Sequence, residues 1–255
     1  MRTTGNTRVG KTLGAIAALA TMLAGPAVAA DLPTYVYEEP VYDKAGAWYL
    51  RGDIGYVATR DYSATYNGSA GHQEFYNEDY DHSWLIGVGV GYQFNHYFRM
   101  DLTWDYTATW DFEGNTICLG GGGCGSTYND EYSSFSMHTV LANAYLDWEN
   151  SSSWTPYIGA GLGFAYINAG RHYANNADGS YAAFGENGNF NFAAAAMAGV
   201  SYEVSQNFSL DASYRYLWVG DVESGESETS GLTGKVTYHD VDFHQVRVGG
   251  RYTFH

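Results

Sequence analysis

Residues 83 to 111, SWLIGVGVGYQFNHYFRMDLTWDYTATWD, alternate apolar and polar side chains for longer than a soluble fold requires. Trp84, Ile86, Val88, Val90, Tyr92 and Phe94 share one parity, against Ser83, Gly87, Gly89, Gly91 and Gln93, with Leu85 the apolar exception. After Asn95-His96-Tyr97 the pattern restarts: Phe98, Met100, Leu102, Trp104, Tyr106, Ala108 and Trp110 oppose Arg99, Asp101, Thr103, Asp105, Thr107, Thr109 and Asp111. Side chains alternate faces along a strand, so each run has one apolar and one polar face. Soluble strands average about 5–6 residues; these run to about 11–14. A strand crossing a bilayer at a tilt needs roughly 9–11, with apolar residues outward and polar ones inward.

Six further runs repeat the pattern, over residues 47–58, 134–148, 155–168, 189–204, 208–219 and 242–254. The connections alternate short (95–97, 149–154, 205–207) and long (59–82, 112–133, 169–188, 220–241). This rhythm predicts an all-β fold: an eight-stranded antiparallel transmembrane β-barrel with short periplasmic turns and long extracellular loops. The soluble rival is a lipocalin-like barrel, which puts apolar residues inside and polar ones outside. Charge favours the membrane reading. One strand face carries Arg51, Asp53, Arg99, Asp101, Asp105, Asp147, Glu203, Asp211, Arg215, Arg247 and Arg251. On the other face, Tyr92, Phe94, Phe98, Trp148, Tyr202, Phe208, Tyr252 and Phe254 crowd the short turns, as an interfacial girdle does.

Residues 1–30 read as a cleaved secretory signal peptide: Arg2, Arg8 and Lys11, an Ala/Leu-rich run, then Ala27-Val28-Ala29-Ala30. Residues 31–46 read as a periplasmic lead-in and 47–255 as the barrel, which places the protein in the outer membrane of a Gram-negative bacterium. Removing three cations takes the formal charge from −16 to −19. That argues against nucleic acid as a partner. The 32 glycines and 24 tyrosines suit a barrel with a tight interior and aromatic interfaces. In an exported chain Cys118 and Cys124, separated by Leu-Gly-Gly-Gly-Gly, are expected to form a local disulfide.

Three sets of residues could carry chemistry. The inward charges could line an ion-conducting lumen or form a packed plug. An eight-stranded barrel is only wide enough for side chains to fill it, so paired charges are expected. The long loops are acidic, with Glu74, Glu78, Asp79 and Asp81 in the first and Asp221, Glu223, Glu226 and Glu228 in the last. They suit a solvated surface, divalent-cation bridging to lipopolysaccharide, or host contact. His82, His138 and His244 fall near the outer strand ends, where a haem or metal site is the minority reading. No catalytic motif is present; His82 beside Ser83, or Ser136 near His138, could be imagined as a rim Ser/His pair. No cofactor is expected.

Several stretches carry a family likeness. Trp48-Tyr49-Leu50-Arg51-Gly52-Asp53-Ile54-Gly55-Tyr56 resembles the first strand of small alphaproteobacterial outer-membrane barrels of the opacity/surface-antigen, porin-like family. Ala144-Tyr145-Leu146-Asp147, Pro156-Tyr157-Ile158-Gly159-Ala160-Gly161 and Asp242-Phe243-His244-Gln245-Val246-Arg247-Val248-Gly249 resemble it likewise. The resemblance implies a structural, envelope-integrity or surface-interaction role without catalysis. A narrow porin-like diffusion channel and a surface haem-binding protein are the alternatives. Such barrels usually end in an aromatic residue; here His255 follows Phe254.

Overall fold

The computed structural model describes residues 45–59, 63–69, 71–117, 128–176 and 179–254. The signal peptide, most of the lead-in, Cys118, Cys124 and His255 lie outside them. Twelve strands follow in order: β1 Ala47–Thr59, β2 Ala64–Gly68, β3 Gly71–Tyr80, β4 Ser83–Gln93, β5 Phe98–Ile117, β6 Tyr128–Asp147, β7 Trp154–Ala169, β8 His172–Asn175, β9 Tyr181–Phe184, β10 Asn187–Glu203, β11 Phe208–Glu223 and β12 Gly234–Phe254.

Eight of them pair antiparallel in a closed circuit: β1–β4–β5–β6–β7–β10–β11–β12 and back to β1. Closure leaves no free edge, so every ring strand finds partners on both sides. The other four strands lie within stretches expected as long loops, 59–82 and 169–188. The β1 and β4 strands stop early, at Thr59 and Ser83, and the β2–β3 hairpin takes over their place between β12 and β5. The β8–β9 hairpin adds to the far part of β6, and a bridge from Phe184 to Ser227 ties it to the segment after β11. The long-loop end is thus a second course of strands built on the ring. The longest strands, β5, β6 and β12 at 20–21 residues, run through both courses.

The outer face is apolar. Trp48, Leu50, Ile54, Trp84, Ile86, Val88, Leu102, Ile158, Leu162, Phe192, Val246 and Val248 all stand exposed on it. The soluble lipocalin-like alternative requires the opposite arrangement.

The interior has two storeys. The lower, toward the short turns, holds the arginine and aspartate side chains. The upper is a hydrophobic core that includes Leu85, Trp110, Phe112, Phe135, Met137, Ile167, Leu217, Tyr238 and Phe243. The inward face is therefore polar over only part of its length, which the reading of one continuous polar face did not anticipate. Trp110 is a second correction. Expected on the outer face, it is only 2% exposed. The β5–β6 ladder slips between Thr107 and Trp110, a β-bulge that reverses the parity of β5. Below the slip odd residues such as Asp105 and Thr107 point inward; above it Trp110 and Phe112 do.

Glycines make room for the lower storey. A Cβ on Gly87 would collide with Asp105 Oδ1, and one on Gly91 with the Tyr49 ring. On Gly89 it would lie 2.8 Å from Thr103 Cγ2 and 3.1 Å from Arg51 Cγ.

Candidate functional site

The β1 strand places Arg51 and Asp53 two residues apart on the inward face, where Arg51 grips Asp53 with both prongs of its fork: Nε to Oδ2 at 3.0 Å and Nη2 to Oδ1 at 2.8 Å. Arg51 Nη1 also donates to Asp101 Oδ2 (3.1 Å) and to the Tyr145 hydroxyl (2.9 Å). Asp101 accepts further bonds from Tyr49 (3.1 Å) and from Asn143 Nδ2 (2.8 Å). Arg99 pairs with Asp147 at 3.0 Å, and its guanidinium carbon lies 3.9 Å from the centre of the Tyr145 ring and 4.6 Å from that of Tyr157.

Asp105 serves two arginines. It accepts from Arg215 Nη1 at 2.8 Å and from Arg247 Nη2 at 2.7 Å, and Arg247 reaches on to Asp53 at 3.3 Å. Gln245 accepts from Arg215 Nε at 2.6 Å. Near the short turns Arg251 donates to Ser201 Oγ (2.8 Å) and lies 3.8 Å from Asp211, which the Ser201 hydroxyl also contacts. Five guanidinium groups thus meet five carboxylates, those of Asp53, Asp101, Asp105, Asp147 and Asp211. Neutral pairing is what a low-dielectric interior demands of buried charge, and a planar guanidinium can grip one acid with two bonds while it reaches a second. The cavity left among Arg51, Asn143, Tyr145, Arg215 and Arg247 measures about 10 Å³, room for roughly one water.

Glu203, expected among these charges, lies at the rim. It shares the inward parity of Ser201 but ends β10 at the short turn, where it is exposed. The expected disulfide pair, Cys118 and Cys124, lies outside the described residues.

The three histidines expected near the outer strand ends have separate partners. His138 stacks on Trp104 and meets Tyr106 at a tilt, His244 bonds the Tyr214 hydroxyl at 2.5 Å, and His82 packs on Tyr56. All three keep company with outer-face aromatics. Among the described residues no group of three or more His, Cys, Asp or Glu side chains could hold a metal ion. Ser83 turns away from His82 and donates to the Ala108 carbonyl at 2.7 Å.

Sequence reasoning missed a polar cluster set in the upper storey. His172 is fully buried; its Nε2 lies 2.8 Å from Glu131 Oε2 and its Nδ1 3.0 Å from the Tyr238 hydroxyl. A neutral imidazole with its proton on Nε2 satisfies both contacts. Thr116 donates to the other oxygen of Glu131 at 2.7 Å. Phe75 and Phe184 flank the imidazole with ring centres 5.9 and 5.4 Å away.

Comparison with known proteins places the chain. An uncharacterized protein of Brucella suis biovar 1 is 32% identical over 93% of this chain and 98% of its own. The outer membrane protein PagN of Salmonella typhimurium is 30% identical over 61% of this chain and 65% of its own. Among solved structures, the outer membrane protein OprG of Pseudomonas aeruginosa shares the fold with a TM-score of 0.54 at 18% identity, over 84% of this chain and 98% of that one. Residues 15–254 match the model of the outer membrane protein beta-barrel domain, and the chain belongs to that family.

Proposed function

We propose that the protein is an eight-stranded transmembrane barrel with a closed lumen. In this reading it serves the outer membrane as a structural and surface-interaction element, without catalysis. The observation that carries the reading is the filled lower storey: five arginines and five aspartates neutralise one another around a space of about 10 Å³. An ion entering that layer would have to break charge-assisted pairs already made in low dielectric, at a cost of several kcal/mol each. The short turns then face the periplasm and the strand-built loop end faces outward. Acidic side chains there, including Glu74, Asp79, Asp111, Glu113, Asp221 and Glu226, stand exposed. Divalent cations would bridge such a surface to lipopolysaccharide phosphates or to an anionic host surface.

Planar-bilayer recording tests the closed lumen. The wild type is expected to be silent. Steady openings whose conductance changes when Arg99 or Arg215 is replaced would establish the porin-like alternative instead. The surface role predicts that vesicles carrying lipopolysaccharide retain the protein more strongly with millimolar calcium than with chelator. Replacing Asp221, Glu223, Glu226 and Glu228 together by their amides should reduce that difference; an unchanged calcium dependence counts against bridging.

A further inference from the structure

We propose that the upper storey holds a binding site for a small organic ammonium ion. The site is a cleft of about 170 Å³ at the loop end, between the β2–β3 hairpin, the β8–β9 hairpin and the far parts of β5, β6 and β12. It is separate from the arginine–aspartate layer, and the inference does not depend on whether the lumen conducts.

The ligand class follows from what lines the cleft. Tyr66, Phe75 and Phe184 supply aromatic surface, and Glu131 supplies a carboxylate. Glu131 is 4% exposed, so it sits in surroundings far less polarisable than water. Thr116 and His172 each occupy one of its oxygens, which fixes the carboxylate while leaving each oxygen a further lone pair. The aromatic walls are fixed too. The Tyr66 hydroxyl donates to the Thr233 carbonyl at 2.7 Å, and its ring meets Phe184 edge-on at 5.8 Å.

A carboxylate beside aromatic rings is the arrangement that recognises an organic cation. The rings attract the positive charge through their quadrupoles and accept its carbon skeleton, and the acid pairs with the N–H groups. An anion would be repelled by Glu131. An uncharged apolar guest would strip water from the carboxylate and return nothing. The surroundings act in the same sense. Arg171 and Lys235, the described cations of the loop end, already lie beside Glu228 and Glu223 at 3.6 and 3.2 Å. The remaining acids there concentrate cations near the mouth.

The test uses the full-length mature protein refolded in detergent, with phenethylammonium as probe and 2-phenylethanol as its uncharged analogue, titrated by calorimetry. The cation is expected to bind saturably at one site and the alcohol about tenfold or more weakly. Glu131→Gln should weaken the cation by about tenfold or more while leaving the alcohol unchanged. Equal binding of the two probes, or an unchanged affinity in Glu131→Gln, overturns the proposal. Should that variant fail to fold, Ala182→Trp fills the cleft from β9 and leaves the acid itself in place. Loss of phenethylammonium binding then supports the site, and full retention overturns it. Calcium displacing the probe at equal concentration would show an inorganic cation site and would also overturn the assignment.

Discussion

Asp105 gathers two buried arginines, Arg215 and Arg247, on one carboxylate. One oxygen accepts from Arg247 and the other from Arg215 and Arg247, all within 3.2 Å, and the group is 1% exposed. Removing it leaves two guanidinium groups competing for what remains, and the loss of one partner from a buried ionic network costs about 3–5 kcal/mol. Asp105→Ala should therefore unfold at markedly lower urea than wild type in detergent, followed by tryptophan fluorescence. A shift within error would mean that the arginines are solvated and the layer is open. The same oxygen explains Gly87, where Gly87→Val drives a methyl-bearing carbon onto Asp105 and should destabilise in the same assay. Gly52→Ala is the contrasting case, since its new carbon meets only a carbonyl 3.9 Å away on the outer face. Arg99 and Asp147 allow a finer measurement. Arg99→Gln and Asp147→Asn should each destabilise, and the double variant should lose less than their sum, because each single change strands a buried charge. Additive losses would mean that the pair is not coupled.

Among the elements, β5 shows what alternation does and does not disclose. From Phe98 to Thr107 its parity is plain, and the outward Met100, Leu102 and Trp104 stand exposed as the pattern requires. The bulge after Thr107 then shifts the register within Thr107-Ala108-Thr109, three small residues whose composition gives no sign of it. Single-tryptophan variants in brominated-lipid bilayers test the consequence. Fluorescence from a chain retaining only Trp104 should be strongly quenched, and from one retaining only Trp110 hardly at all. Equal quenching would put Trp110 back on the lipid face. The ring, its long strands and the inward arginines were legible because each follows from period two and local charge. One signal of the upper storey was also present: Leu85, the apolar exception on the polar parity, packs into the hydrophobic core at 2% exposure. Glu131 and His172 were not legible. They lie 41 residues apart and meet only because β8 folds back onto the far part of β6. Glu203 shows what parity leaves out: it shares the inward parity of Ser201 yet stands exposed at the end of β10, because parity does not report how far along a strand the packed layer extends.

At the scale of the whole molecule, the two storeys and the apolar exterior fix an axis. The charged layer and the outer belt around Leu50, Val88 and Leu102 lie on opposite sides of the same strand segments, so the belt must meet a medium that does not compete for hydrogen bonds. Lipid is that medium for a member of this family, and depth along the axis then becomes a measurable energy. The cost of an arginine on the lipid face falls from about 2–4 kcal/mol at the midplane to about 0–1 near an interface. Val88 lies at the middle of β4 and is 56% exposed, while Phe94 lies just past its end at the short turn and is 49% exposed. Val88→Arg should therefore destabilise the folded state in phospholipid bilayers by about 2–4 kcal/mol and Phe94→Arg by about 0–1. Two further variants bracket the belt: Trp84→Arg at the other end of β4 should resemble Phe94→Arg, and Leu102→Arg, paired with Val90 across the β4–β5 ladder, should resemble Val88→Arg. Reversible urea unfolding in thin-bilayer vesicles gives all four values. A flat profile would mean that this face is not embedded, and a maximum displaced toward Trp84 would move the membrane toward the upper storey and bring the outer-face His82, His138 and His244 into the hydrocarbon.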